Sequence, residues 1–490
     1  MEGAATRSVI LSLGLLVAPL ASAQSPAPEA SAVQPAAAAP PAVPAEPPAV
    51  APPATPGEPA SAAPSTASSE PAVAAPPTAT AEPTAPPASA KPATPTSSEV
   101  IIKASSEGFS LSSPDKAFVL KLRGYLQTDL RLFASVADRP GSSTFLARRA
   151  RPLLEGTVYG AFDFRLLLDF AAGAPALWDA YVEYKPSKAL RLRAGKAKPA
   201  VGLERLQSAT NIIFLERALP TNLVPNRDIG LQLQGELAGG ALSYALGAYN
   251  GAPDGASTDT NLEDSFDLIA RVFAQPFKAG GPKQLSGLGV GVAATNGQAF
   301  GSATSTGLSV LRTTGQQTFF SYRTGATAAE AVVAHGNHFR FTPQGYFYAG
   351  PLGVLAEYVS SAQEVAHGAD HTRLRHTSWQ ATASFVLFGG DAAYDGVKPR
   401  TPFKSGDGWG AVEVAGRYSE LHVDPDAFPI YADPTRSAHD AADWGVGANW
   451  YLNSNIRVAA NFDHTSFEGG AAEGDRVAED IFISRFQVSW

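Results

Sequence analysis

The chain has 490 residues, 37 basic and 45 acidic, for a formal charge of -8, and no cysteine. Length alone allows about three domains. The absence of thiols excludes a disulfide framework and a lipid-modified cysteine, and no basic tract suggests nucleic acid.

Export comes first along the chain. Residues 9–20, "VILSLGLLVAPL", follow Arg7 and precede the small-residue site "ASA". The run is too short to span a membrane as a helix and fits a signal peptide, residues 1–23, cleaved after Ala23. Residues 24–100 are rich in Pro, Ala, Ser and Thr and contain no aromatic residue; 21 of the 40 prolines lie between Pro26 and Pro95. Such a segment cannot bury enough surface to offset chain entropy and reads as a disordered linker. It is either a periplasmic spacer that reaches the peptidoglycan or an inert connector, since composition carries no address. Residues 1–99 hold seven acids and two bases, which leaves 38 acids and 35 bases, nearly balanced, for the rest.

From residue 108 onward the pattern is period-2 alternation. In "FVLKLRGYLQTDLRLF", Phe118, Leu120, Leu122, Leu126, Leu130 and Leu132 share one side, and Lys121, Arg123, Gln127, Asp129 and Arg131 the other. "FDFRLLLDF" sets Phe162, Phe164, Leu166, Leu168 and Phe170 against Asp163, Arg165 and Asp169. "NIRVAANFDH" and the final "EDIFISRFQVSW" repeat the pattern. Strands with an apolar and an ionic face suit a barrel with lipid outside and water inside, which leaves no open edge in hydrocarbon.

Strands are expected at 117–133, 145–158, 162–171, 177–185, 189–197, 228–236, 241–250, 264–275, 287–295, 337–348, 352–361, 374–388, 408–419, 442–452, 455–465 and 479–490. The fold expected is all-β: a 16-stranded antiparallel transmembrane β-barrel over residues 101–490. Joints at 160–161, 186–188, 239–240, 349–351 and 453–454 are tight. Those at 198–227, 251–263, 296–336, 362–373, 420–441 and 466–478 are long. Short turns on one side and long loops on the other are the outer-membrane pattern. The joint 389–407 breaks the rule, because it should be short. An even strand count puts both ends on the short-turn side, with the linker in the periplasm of a Gram-negative cell. Trp490 then closes the last strand at the rim, where aromatic girdles sit, and resembles the sorting signal read by the barrel-assembly machinery.

Several stretches carry a family resemblance: "RRARPLLEGTVYGAFDFRLLLDFA", "LWDAYVEYKP", "LRAGKAKPAVGLERLQSATNIIFLERALP", "RDIGLQLQGEL" and, later, "WQATASFVLFGGDAAYDG", "GAVEVAGRYSEL" and "GANWYLNSNIRV". In this order they resemble the phosphate-selective porins of O and P type, over roughly 110–490. The resemblance implies a sixteen-stranded outer-membrane porin, commonly a homotrimer, that passes anions such as phosphate or polyphosphate. It also implies that the loop after the fifth strand, 198–227, folds inward.

A pore needs a water-filled lumen, a constriction and a field of one sign. The expected lumen face carries Arg123, Arg131, Arg149, Arg151, Arg165, Arg191 and Arg193, and the inward loop carries Lys198, Arg205, Arg217 and Arg227. Arginine suits phosphate because its planar fork donates paired hydrogen bonds. The same face carries Asp129, Glu155, Asp163, Asp169, Asp179 and Glu183, so cross-strand salt bridges are the competing reading.

His367, Asp370 and His371, with His376 nearby, fall at an expected surface loop, where histidine is commonplace, so no metal is assigned. "GLGVGV" from Gly287 has no helix behind it and reads as strand. No nucleophile elbow is visible, and the chain is expected to be neither an enzyme nor a cofactor carrier. The alternatives to a phosphate channel are a weakly selective porin and a barrel anchor whose proline-rich arm tethers it to the cell wall.

Overall fold

The computed structural model describes residues 100–134, 141–171, 173–261, 264–278, 280–404 and 406–490. The expected signal peptide and almost all of the expected linker lie outside these residues.

In chain order the strands are β1 (Ile101–Ser105), β2 (Gly108–Ser112), β3 (Val119–Phe133), β4 (Thr144–Val158), β5 (Phe162–Asp169), β6 (Ala176–Tyr184), β7 (Arg191–Ala197), β8 (Asp228–Leu237), β9 (Leu242–Tyr249) and β10 (Asp267–Ala274). They continue with β11 (Leu288–Phe300), β12 (Leu311–Arg312), β13 (Thr318–Phe320), β14 (Val332–Ala349), β15 (Leu352–His367), β16 (Asp370–Phe388), β17 (Ala411–His422), β18 (Ala438–Tyr451), β19 (Ile456–Gly469) and β20 (Glu479–Ser489). Sixteen of them, β3–β11 and β14–β20, pair antiparallel with their neighbours, and β20 pairs back onto β3. The barrel is therefore closed, and these are the sixteen strands the alternation marks.

Alternation decides which residue meets which medium. On β3, Leu122, Leu126 and Leu132 are exposed on the outer wall, while Gln127, Asp129 and Arg131 are buried inside. The outer wall has no partner among the described residues, and its apolar surface suits hydrocarbon. The inner face buries polar groups because loops fill the lumen and bond to them. At the seam Gly124 and Trp490 exchange backbone hydrogen bonds, Gly124 N to Trp490 O at 3.1 Å and Trp490 N to Gly124 O at 3.0 Å.

Four features differ from the sequence expectation. Residues 362–373 are not a long loop; β15 and β16 run through them and turn at Gly368, which has a φ of 61° suited to glycine. Residues 296–336 shorten to a loop at 301–331, whose ribbon β12–β13 sends Phe319 and Phe320 into a buried cluster with Leu219 and Leu223. The segment after Phe388 turns into the lumen, where Tyr394 stacks on Tyr346 with ring centres 5.0 Å apart. Residues 101–112 add a hairpin that the expected strands lack, and the first wall strand starts at Val119, within the expected 117–133. Ahead of it, the hairpin β1–β2 pairs with Val119–Leu122 of β3, extending the seam below the point where β20 ends.

Candidate functional site

The loop 198–227 leaves β7, crosses the lumen and returns to β8. It holds one turn of helix α1 (Leu203–Leu206) and a 3-10 turn, Leu219–Leu223. Its anchors reach around the far wall. Glu357 of β15 accepts the backbone N–H of Leu203 at 2.6 Å, capping α1 in place of a local side chain. Arg457 of β19 donates to the carbonyls of Ile212 and Ile213 at 2.8 and 2.7 Å. Arg485 of β20 donates to Leu215 O at 2.8 Å. From the short-turn end, Tyr394 Oη donates to Leu203 O at 2.7 Å, and Gln207 Nε2 donates to Tyr394 O at 2.7 Å.

The tip of this loop is held by one carboxylate. Glu216 accepts from Arg148 at 2.6 and 3.0 Å and from Arg131 at 2.8 Å, with Arg485 at 3.2 Å and Arg149 at 3.7 Å. Burial pushes the Glu216 carboxyl up; Arg148, Arg149 and Arg485 outweigh it and hold it well below the usual carboxylate range.

Between the loop and the wall of β3–β7 lies a cavity of about 620 Å³. Eight of the eleven basic residues expected at the pore line it: Arg149, Arg151, Arg165, Arg193, Lys198, Arg205, Arg217 and Arg227. Three do not. Arg123 lies against Glu155 at 2.9 Å, nearer the short-turn end. Arg131 is drawn behind the loop by Glu216. Arg191 turns onto Glu183 at 3.3 Å, beside Arg193.

Two lining bases escaped the sequence reading, Arg148 and Arg312. Strict alternation puts Arg148 outside, because Arg149 and Arg151 face in. A β-bulge corrects this: Gln127 pairs with Arg149, but Thr128 pairs with Ala147, so Arg148 is the extra residue. A bulge re-aims the side chain it inserts. Arg312 lies in the long loop before β14, for which period-2 reasoning has no register.

The bases divide by partner. Those on the wall are paired: Arg151 with Asp169 at 2.7 Å, Arg165 with Glu155 at 3.0 Å and Asp179 at 3.2 Å, and Arg193 with Glu183 at 2.8 Å. Arg227, at the loop's end, meets Asp179 at 3.1 Å. Trp178 lies between Arg151 and Arg227, whose guanidinium carbons are 4.1 and 4.4 Å from the ring centre.

The loop bases instead bind neutral oxygens. Lys198 Nζ donates to the carbonyls of Leu206 and Gln207 at 3.2 and 2.6 Å. Arg217 donates to Glu204 O and Gln207 O at 3.2 and 2.8 Å. Arg205 donates to Asn226 Oδ1 at 3.3 Å and to Thr221 O. Burial, with Arg217 and Arg227 nearby, pulls the Lys198 ammonium well below its ordinary value. Like charges crowded in this way favour a bound anion. Cross-strand pairing thus describes the wall, and the surplus positive field comes from the loop.

Other constellations resolve differently. His371 lies on the outer face of β16, while His376 turns inward to Tyr322 Oη at 2.7 Å. "GLGVGV" leads into β11. Ser361, His338 and Asp254 form a compact cluster on the inner wall. Ser361 Oγ donates to Asp254 at 2.6 Å, and both groups meet the same histidine nitrogen, Nε2, at 3.0 and 3.4 Å. A relay needs the acid and the hydroxyl on opposite nitrogens, so this arrangement braces the loop holding Asp254.

DcaP, an outer-membrane channel of Acinetobacter baumannii, matches with a TM-score of 0.52 at 10% identity, over 78% of this chain and all of that one. An anion-selective porin of Comamonas acidovorans gives a TM-score of 0.48 at 10% identity, over 76% of this chain and all of that one. Porin O of Pseudomonas aeruginosa is 25% identical over 428 residues, 80% of this chain and 92% of the relative. The model of the phosphate-selective porin O and P family matches residues 120–490, and the chain belongs to that family.

Proposed function

We propose that this protein is a passive, anion-selective channel of the outer membrane for phosphate or polyphosphate. The observation that carries the reading is that Lys198, Arg205 and Arg217 line a cavity with their donors on neutral oxygens, opposite a wall whose arginines are ion-paired. An anion entering there meets donors that no carboxylate occupies among the described residues. Porin family homologues are channels rather than enzymes, and the barrel does positional and electrostatic work only.

The same reading includes a signal peptide at 1–23 and a periplasmic linker at 24–100, with peptidoglycan as its candidate contact. It includes a homotrimer and delivery by the barrel-assembly machinery through the strand ending at Trp490. These rest on sequence pattern and family resemblance.

The test is the reversal potential of single channels in a planar bilayer under a salt gradient. Anion preference, with added phosphate blocking the chloride current, is the expected result. A large unselective conductance would reduce the arginines to wall salt bridges and leave a general porin. No conductance would favour the anchor, and deletion of residues 24–100 would then test the arm.

A further inference from the structure

The outer wall carries two features that a channel does not use. The first is an apolar depression of about 730 Å³ reaching from β15 to β20. Its floor is made of small outward residues, Ala383, Gly416, Ala448 and Ala460, between the rings of Phe385 and Phe462. Ala383 and Gly416 are cross-strand partners, so the small residues lie side by side. A Cβ at Gly416 would meet nothing within 4 Å, so the depression is open there.

The second feature stands above it on β16. His371, Arg373 and Arg375 alternate with Thr372, Leu374 and His376 and are exposed on the outer face. Among the described residues Arg373 reaches only Asn337 Oδ1, at 3.3 Å. The Arg375 side chain has no partner among the described residues. The nearby acids keep their charge but are turned to backbone donors: Glu364, opposite Arg373 in the register, accepts the N–H of Asn337, and Asp424 accepts those of Arg375 and Asp426. Elsewhere on this rim His422 meets Asp440, and His464 Nδ1 lies 2.6 Å from Asp480. On β16 the two guanidinium groups are left without an ion pair among the described residues.

The spacing between the two features fits one molecule. Eight residues separate Arg375 from Ala383, about 26 Å along a strand at ~3.3 Å per residue, or ~20 Å of depth at a 40° tilt. That is about the distance from the middle of a bilayer to its phosphate plane. An aromatic row, Trp379, Tyr418 and Trp444, crosses between them.

We propose that this wall binds a phosphorylated, acylated glycolipid of the outer leaflet, of the lipid A type, with a phosphate on Arg373 and Arg375 and an acyl chain in the depression. Arginine favours phosphate through paired donors, and the small-residue floor adds dispersion contacts along a chain.

Native mass spectrometry of the full chain in detergent tests this, titrated with diphosphoryl lipid A and with its dephosphorylated form. The unaltered protein should hold the phosphorylated lipid, and 100-fold excess inorganic phosphate should leave it bound. Arg373→Ala with Arg375→Ala should weaken retention about tenfold or more, at ~1 kcal/mol per basic residue. Gly416→Leu, filling open space, should weaken it independently. Conductance should be unchanged in both variants, since neither position faces the lumen. Undiminished retention in the arginine variant, equal binding of the dephosphorylated lipid, or stripping by free phosphate would overturn the lipid site. Loss in the arginine variant with none in Gly416→Leu would overturn the acyl groove. Conductance reports separately on the channel.

Discussion

The indole of Trp490 occupies the space that a side chain at residue 124 would take. A Cβ built on Gly124 would lie 2.6 Å from the Trp490 ring, and the two backbones exchange hydrogen bonds across the seam. The glycine is thus a seat for the aromatic group, of the kind that pins register in closed sheets. Gly124→Leu should expel the ring and cost about 1–3 kcal/mol, as overpacking does. The folded fraction on unheated gels should fall, and Gly416→Leu, with open space, should not lower it.

Glu216 is the hinge between loop stability and anion affinity. Glu216→Gln removes the only carboxylate that Arg148 and Arg149 contact among the described residues. Breaking a buried ionic cluster costs about 3–5 kcal/mol, so the thermal midpoint should drop. Phosphate should bind more tightly in whatever remains folded, because the freed guanidinium groups face the cavity. Titration of phosphate block checks both outcomes.

Arg205→Ala and Arg217→Ala should each weaken phosphate block roughly tenfold or more, since a charge-assisted hydrogen bond contributes about 1.5–3 kcal/mol. Arg191→Ala should leave it almost unchanged, because Arg191 lies outside the cavity on Glu183. Equal effects at all three positions would mean that total charge, rather than the loop, sets selectivity.

The pH dependence has a definite sign. Burial beside Arg217 and Arg227 lowers the Lys198 pKa well below 10.5. Its charge is lost as pH rises through that lowered value, so anion preference should decline before a free ammonium would titrate. Between the folded and unfolded values the unfolded chain binds more protons, so the lysine's contribution to stability rises with pH in that window. Lys198→Arg should abolish the alkaline decline in reversal-potential measurements.

Leu166 and Leu192 face outward and are exposed. A charge placed at either should cost about 2–4 kcal/mol near the bilayer middle and suppress insertion. Heat-modifiable mobility in outer-membrane fractions reads this, with Arg193→Ala as the inward control that still inserts.

The barrel was legible because one periodicity governs every wall strand: lipid and water lie on opposite sides, so alternation reports register directly. The inward direction of the wall arginines Arg149, Arg151, Arg165 and Arg193 was legible for the same reason, since they lie on the ionic phase. Where a second rule intervened, reading failed. The bulge at Arg148 breaks phase inside a strand and leaves no compositional mark. Residues 362–373, rich in His and Arg, look like a loop because β15 and β16 continue beyond the apolar belt. Arg191 has the right phase at the wrong height, and alternation says nothing of depth. Loop bases such as Lys198 were assigned by family resemblance, since an inward fold depends on distant anchors such as Glu357.

The bond from Tyr394 to Leu203 joins segments that enter the barrel from opposite mouths. A loop fixed on one side can swing under an applied voltage; a strut held from both sides resists. The open channel of this protein should accordingly carry a quiet, ohmic current, with closures coming in whole steps rather than as flicker.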